Sequence, residues 1–348
     1  MGIVIAIIIF GIIVIWHEFG HYIVAKKCDV QVNEFMLGLG PRLFGKKKGE
    51  TVFSVHLLPF GGACVMEGED GESENPRAYT HKKVWQRFLI VFAGPAFNLL
   101  MGFVLAIVLI ALVGVDRPVL SGVTPGYSAE AAGIREGDVI TRMGAKNIHF
   151  AREMSIYLKL HSGEDVNVTY ERDGQEYQTV LTPMVDPETG EYRIGIQYSI
   201  QNEKLSPIKT LQYSFYEMEY QVWMVLSSLR MLIQGKFSLN DMAGPVGIVK
   251  VVGDTYSESV QSGGAYAAFV NMLNIIVLLS ANLCVMNLLP IPGLDGGRIL
   301  FLVVEMITRK RIPPNKEGMI NVIGVVILLV LMGVLFFNDI RKIIMGTL

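Results

Sequence analysis

Gly2-Ile3-Val4-Ile5-Ala6-Ile7-Ile8-Ile9-Phe10-Gly11-Ile12-Ile13-Val14-Ile15-Trp16 carries no charge and runs straight into His17-Glu18-Phe19-Gly20-His21. The apolar stretch is long enough, with the residues after it, to cross a bilayer as a helix. On a helix the two histidines, four apart, lie about 40° from one another on one face. Two imidazoles so placed can hold a tetrahedral metal, and the glutamate beside the first can take a proton from water at that metal. Burying two histidines and a glutamate against such an apolar run is costly unless they have a task.

The chain has 348 residues, 51% of them hydrophobic and only 18% charged. Soluble domains average about 25% charged, so the composition is that of an integral membrane protein with a soluble portion. A net charge of −2 and the lack of a basic stripe exclude a nucleic-acid partner. The three cysteines, Cys28, Cys64 and Cys284, have no metal-like spacing and give no disulfide framework. The N-terminus has neither a basic leader nor a small-residue cleavage site, so it is expected to be retained.

Spanning runs are predicted at 2–24, 88–114, 266–289 and 319–337. Ten Lys or Arg lie between the first two, including Lys46-Lys47-Lys48, and Arg309, Lys310, Arg311 and Lys316 lie between the last two. The insert from 116 to 265 is acid-rich, with 19 Asp or Glu against 13 Lys or Arg. The positive-inside rule then puts both basic loops in the cytoplasm, and the insert and both termini outside. Arg341 and Lys342 run against that assignment. His17 and His21 fall toward the cytoplasmic end of the first span.

Residues 31–68 alternate apolar and polar positions, as in Thr51-Val52-Phe53-Ser54-Val55-His56-Leu57, and are punctuated by glycines including Gly61 and Gly62. The pattern predicts β-hairpins. Two settings stay open: a hairpin region at membrane depth, or a cytoplasmic hairpin touching headgroups. In the first, an unpaired edge along Val52, Phe53, Ser54, Val55, Gly61 and Gly62 could hold an unwound substrate as an added strand.

A tetrahedral catalytic metal needs a third protein ligand. Asn287-Leu288-Leu289-Pro290-Ile291-Pro292-Gly293-Leu294-Asp295-Gly296-Gly297 closes the third span, and an aspartate in so apolar and broken a stretch invites a role. Asp295 is either the ligand or the N-cap of the next helix. Asn287 would donate a hydrogen bond to substrate.

Together with Phe92-Ala93-Gly94-Pro95-Ala96-Phe97-Asn98, these motifs resemble those of the site-2 proteases, and the order of parts is similar to the bacterial RseP/RasP group. The resemblance runs from the first span to the last. It implies an intramembrane zinc metalloprotease in which His17, His21 and Asp295 bind one Zn2+, Glu18 is the catalytic base and Asn287 contacts substrate. It implies substrates that are single-span membrane proteins, such as anti-sigma factors or remnant signal peptides, cut in regulated intramembrane proteolysis. It also matches residues 31–68 to that group's membrane re-entrant β-loop.

Val119 to Ile140 predicts a strand, a small-residue helix and a Gly-Asp turn into another strand. This run resembles a PDZ core, with Ile194-Gly195-Ile196 resembling its carboxylate-binding loop. Some relatives carry two such domains where this chain has room for one. The groove either binds peptide or acts as a size filter. Residues 206–237 form an amphipathic helix, lying on the outer membrane surface or forming a fifth span. Gly244-Pro245-Val246-Gly247-Ile248 resembles a family segment without assigned chemistry.

The expected architecture is an α-helical polytopic membrane protein of about four transmembrane helices, with a re-entrant β-hairpin region and an inserted α+β PDZ domain. Its parts are 1–114 (catalytic membrane part), 116–200 (extracytoplasmic PDZ), 201–262 (surface helix and linker) and 263–348 (C-terminal membrane part). The expected location is the plasma or inner membrane, in contact with lipid, with the active site toward the cytoplasm. Two rivals are a catalytically idle PDZ-bearing scaffold and a transporter using the buried His, Glu and Asp as an ion path. The second predicts inverted repeats, and none is found.

Overall fold

A computed structural model describes residues 2–69, 71, 73–187, 189–198, 202–235 and 243–345. It comprises two units, one of residues 1–105 with 232–348 and one of residues 106–231.

The first unit begins with helix α1, Gly2–Lys27. Its buried positions Ala6, Ile9, Ile13, His17 and His21 recur every three or four residues, so apolar face and imidazoles share one stripe. Ile3, Val4, Ile8 and Ile12 point outward, as suits lipid. Strands β1 (Val32–Lys48) and β2 (Thr51–Met66) follow, then helix α2, Val84–Val113. A Cβ on Gly20 would stand 2.5 Å from the carbonyl oxygen of Ala93, so α1 and α2 approach closely at a glycine. The Trp16 indole donates to the carbonyl of Phe97 at 2.7 Å.

Both strands double back. Residues 32–37 lie beside 62–66 in antiparallel register, and 42–48 lie beside 51–56 the same way. Glu34 to Leu37 also align with Val52 to Val55, the numbers rising together in the parallel sense. The order across the sheet is therefore 62–66, 32–37, 51–56, 42–48. Val52, Phe53, Ser54 and Val55 are flanked on both sides, so the edge expected there is elsewhere: among the described residues the free edges are 62–66 and 42–48. Alternation along a strand reveals its faces, not its neighbours. Leu39, Leu43, Phe44 and Leu57 are exposed at one end of the sheet. At the other end Glu50 takes charged bonds from Lys26 and Arg77.

The second unit opens with β3 (Val115–Asp116), β4 (Leu120–Val123), α3 (Ser128–Ala131), β5 (Val139–Met143), β6 (Lys146–Asn147) and α4 (Ala151–Leu160). It continues with β7 (Val166–Arg172), β8 (Gln175–Leu181), β9 (Met184–Val185), β10 (Tyr192–Arg193), β11 (Ile196–Tyr198), β12 (Asn202–Glu203) and α5 (Pro207–Ile233). A four-stranded sheet runs β6-β5-β7-β8, while β11 pairs with β4 and β12 with β3. Leu120, Ile140, Met154, Leu181 and Ile194 fill one core. The tight turn before β5 is held by Asp138, which accepts two bonds from the Arg172 guanidinium, each 2.7 Å.

Helix α5 buries Thr210, Ser214, Glu217, Met218 and Tyr220. Glu217 pairs with Arg152, Trp223 covers the Lys146 ammonium, and Tyr216 stacks on His149. The outward stripe is apolar: Ile208, Leu211, Phe215 and Leu226 are exposed.

Helix α6 spans Pro245–Leu288 and is interrupted at Gly264, whose φ of 69° and ψ of −160° are not helical. Residues 245–262, expected to be linker, are helical, and the apolar run predicted from 266 begins just past the break. The Gly-Pro segment at 244–248 is the helix start. Asp339, with no exposed surface, accepts the amides of Gly244 at 3.0 Å and Gly247 at 2.8 Å. Its carboxylate comes from α8 (Pro314–Met345), which follows α7 (Asp295–Thr308). Helices α1, α2, α6 and α8 are long and apolar enough to cross a membrane.

Candidate metal centre

Histidines 17 and 21 project from one face of α1 toward Asp295, the first residue of α7. His17 Nε2 is 3.1 Å and His21 Nε2 3.5 Å from Asp295 Oδ2, and the two Nε2 atoms are 3.2 Å apart. Both imidazoles are buried.

His21 Nδ1 lies 2.8 Å from the carbonyl oxygen of Ile90. A carbonyl only accepts, so Nδ1 carries a proton and Nε2 is the ring atom left to face a metal. Donors about 2.0–2.1 Å from a tetrahedral zinc stand roughly 3.3–3.4 Å from one another. The observed 3.1, 3.2 and 3.5 Å bracket that spacing. The donor set therefore fits zinc.

Glycines make the pocket. A Cβ at Gly94 would collide with His21 Nε2 and stand 2.7 Å from His17 Cε1, so the imidazoles lie directly on the α2 backbone. A Cβ at Gly296 or Gly297 would strike the Leu289 or Ile291 carbonyl, which folds the 289–297 loop tightly under Asp295. Gly62, on the 62–66 edge, sits against Val14 and Glu18. One free edge of the sheet thus lies beside the glutamate.

The remaining predicted residues fall in two places. Asn287 is on the last turn of α6, half-buried. Ile194, Gly195 and Ile196 line a cavity of about 1090 Å³ in the second unit, facing Ser155, Leu158 and Lys159 of α4. Gly195 adopts φ +80°, and the Ser155 and Tyr198 hydroxyls meet between α4 and β11. Sequence reasoning missed Ile90 and gave Gly94 and Asn98 no role beyond membership of the Phe92–Asn98 motif; all three contact the histidines from α2. The Gly-Pro pair in an apolar run was the one local signal.

Helices suited to membrane and a buried His-His-Asp cluster beside a glutamate define the class as a membrane-embedded metallohydrolase. Residues 5–331 match Peptidase family M50. A relative from Clostridium acetobutylicum is 36% identical over 339 residues, 97% of each chain. The zinc metalloproteases RasP of Geobacillus kaustophilus and Shouchella clausii are 29% and 30% identical, over 97% of this chain and 97% and 98% of theirs. A PDZ domain of an SdrC-like protein from Listeria monocytogenes is 23% identical, covering 24% of this chain and 87% of its own, with a TM-score of 0.21.

The chain belongs to peptidase family M50. It is a zinc metalloprotease of the site-2 type, a multi-pass membrane protein acting on membrane substrates.

Proposed function

We propose that the chain cleaves single-span membrane proteins within their membrane segments, using one zinc held by His17, His21 and Asp295. Zinc, when bound, supplies a Lewis acid that polarises the scissile carbonyl and acidifies water. Glu18, next to the first ligand on α1, accepts the proton of the attacking water and delivers it to the departing amide nitrogen. The observation that carries this reading is the convergence of three metal donors from distant segments at tetrahedral spacing, with Glu18 and a free strand edge alongside.

A helical substrate must release its carbonyls from internal hydrogen bonds before attack. The 62–66 edge, with Gly62 against Glu18 and Gly61 just before it in the chain, offers backbone partners to the unwound stretch. Asn287 donates to the substrate backbone from the end of α6. Both basic loops face the cytoplasm, the PDZ-like unit lies outside, and the exposed apolar stripe of α5 rests in the outer headgroup layer. Anti-sigma factors and remnant signal peptides are the substrate types proposed. The groove at Ile194–Ile196 either captures a peptide end or screens substrates by size.

The test is a Glu18→Gln chain purified with bound substrate. Retained zinc with no cleavage, and a membrane segment trapped intact, supports the assignment. Undiminished cleavage removes Glu18 from the mechanism.

A further inference from the structure

Asn98, on α2, has no exposed surface, and its side-chain nitrogen lies 3.0 Å from His17 Nδ1. Its carbonyl oxygen, Oδ1, is buried without a hydrogen-bond partner among the described residues. An orphaned amide oxygen beside a metal-site imidazole calls for a reason.

The reason lies in what each end of the His17 ring must do. Nε2 faces Asp295 and His21 and is the atom available to a metal. Ligation uses the Nε2 lone pair, so in the neutral ring the proton moves to Nδ1 and needs an acceptor. Asn98 Nδ2 cannot serve, because it donates. A half-turn of the carboxamide brings Oδ1 to Nδ1, and the oxygen gains a donor.

Resting on the zinc reading above, we infer that Asn98 is a positioning residue whose carboxamide oxygen accepts the His17 Nδ1 proton and so fixes the ligating tautomer of His17. Its counterpart for His21 is the Ile90 carbonyl, a backbone group that always accepts. The two ligands are thus held differently, one by backbone and one by a side chain. Only the His17 side is open to mutation without touching a ligand.

The test uses the full chain in detergent, with zinc affinity read by competition against a chelator. Asn98→Leu keeps the volume and removes the acceptor, and is expected to weaken zinc binding about 10–100-fold. Asn98→Asp keeps an acceptor and is expected to bind zinc at least as tightly as the native chain. A purely packing role for Asn98 would not separate these two variants. Zinc affinity in Asn98→Leu equal to the native chain's overturns the inference. If Asn98→Leu does not fold, Asn98→Asp decides: native-like or tighter binding supports it, and weakened binding in a folded protein overturns it. A native chain that holds no zinc would instead defeat the metal centre itself.

Discussion

Gly62 of the sheet packs directly on Glu18 of α1: a Cβ placed on Gly62 would stand 3.1 Å from Glu18 Cγ, 3.0 Å from Val14 Cγ1 and 2.9 Å from the Met36 carbonyl oxygen. A backbone neighbour leaves no room to yield. Gly62→Val should push the 62–66 edge away from the glutamate while leaving the His-His-Asp cluster intact. The expected result is native zinc content with cleavage lowered by on the order of 100-fold, as follows from shifting reacting groups by about 1 Å. Zinc analysis beside a cleavage assay checks both halves.

Glu18→Gln keeps size and hydrogen-bonding capacity but loses the ability to accept a proton. Zinc should remain and turnover should fall by roughly 10²–10⁴-fold. Metal content and cleavage of a single-span reporter, measured on the same preparation, separate this from a loss of fold.

Each ligand should be needed for metal. His17→Ala, His21→Ala and Asp295→Ala are expected to lower zinc content to well below one ion per chain, because two remaining donors cannot complete the site. Normal metal content in any of the three removes that residue from the set. Treatment of the native chain with a chelator should abolish cleavage, and added zinc should restore it.

In the second unit, burial pushes the Asp138 carboxyl up, yet the Arg172 bonds and the Arg135 amide outweigh this and hold it below its ordinary value. A depressed carboxyl stabilises the fold above its unfolded pKa, and that stabilisation fades as pH falls through the folded value. Asp138→Asn should therefore destabilise this unit by on the order of 2 kcal/mol at neutral pH. The gap from the native chain should narrow as pH drops below about 4. Hydrogen exchange of β5 and β7 amides in the full chain against pH measures it.

Much of the site could be read because its residues break the local rule. His17, Glu18 and His21 follow an uncharged apolar run, and Asp295 stands in the apolar stretch between α6 and α7. The spans could be read from hydropathy for the same reason. Strand order could not. Val52 to Val55 alternates as an edge strand would, but its neighbours are set by how 32–48 and 51–66 fold back on themselves. Residues 245–262 hold Asp254, Ser257, Glu258 and Gln261, so hydropathy assigned them to a linker although they are helical. Asn98 was legible only as the end of the Phe92–Asn98 motif, because an uncharged amide shows no role until its neighbour is known to be an imidazole.

The anchoring of α6 by Asp339 and the supply of Asp295 from α7 bear on how the molecule is born. The amino-terminal helix leaves the ribosome early, but the carboxylate that completes its cluster is translated only after the whole insert. The residue that secures α6 emerges later still. A chain that stops short of α7 therefore lacks the carboxylate of the His-His-Asp cluster.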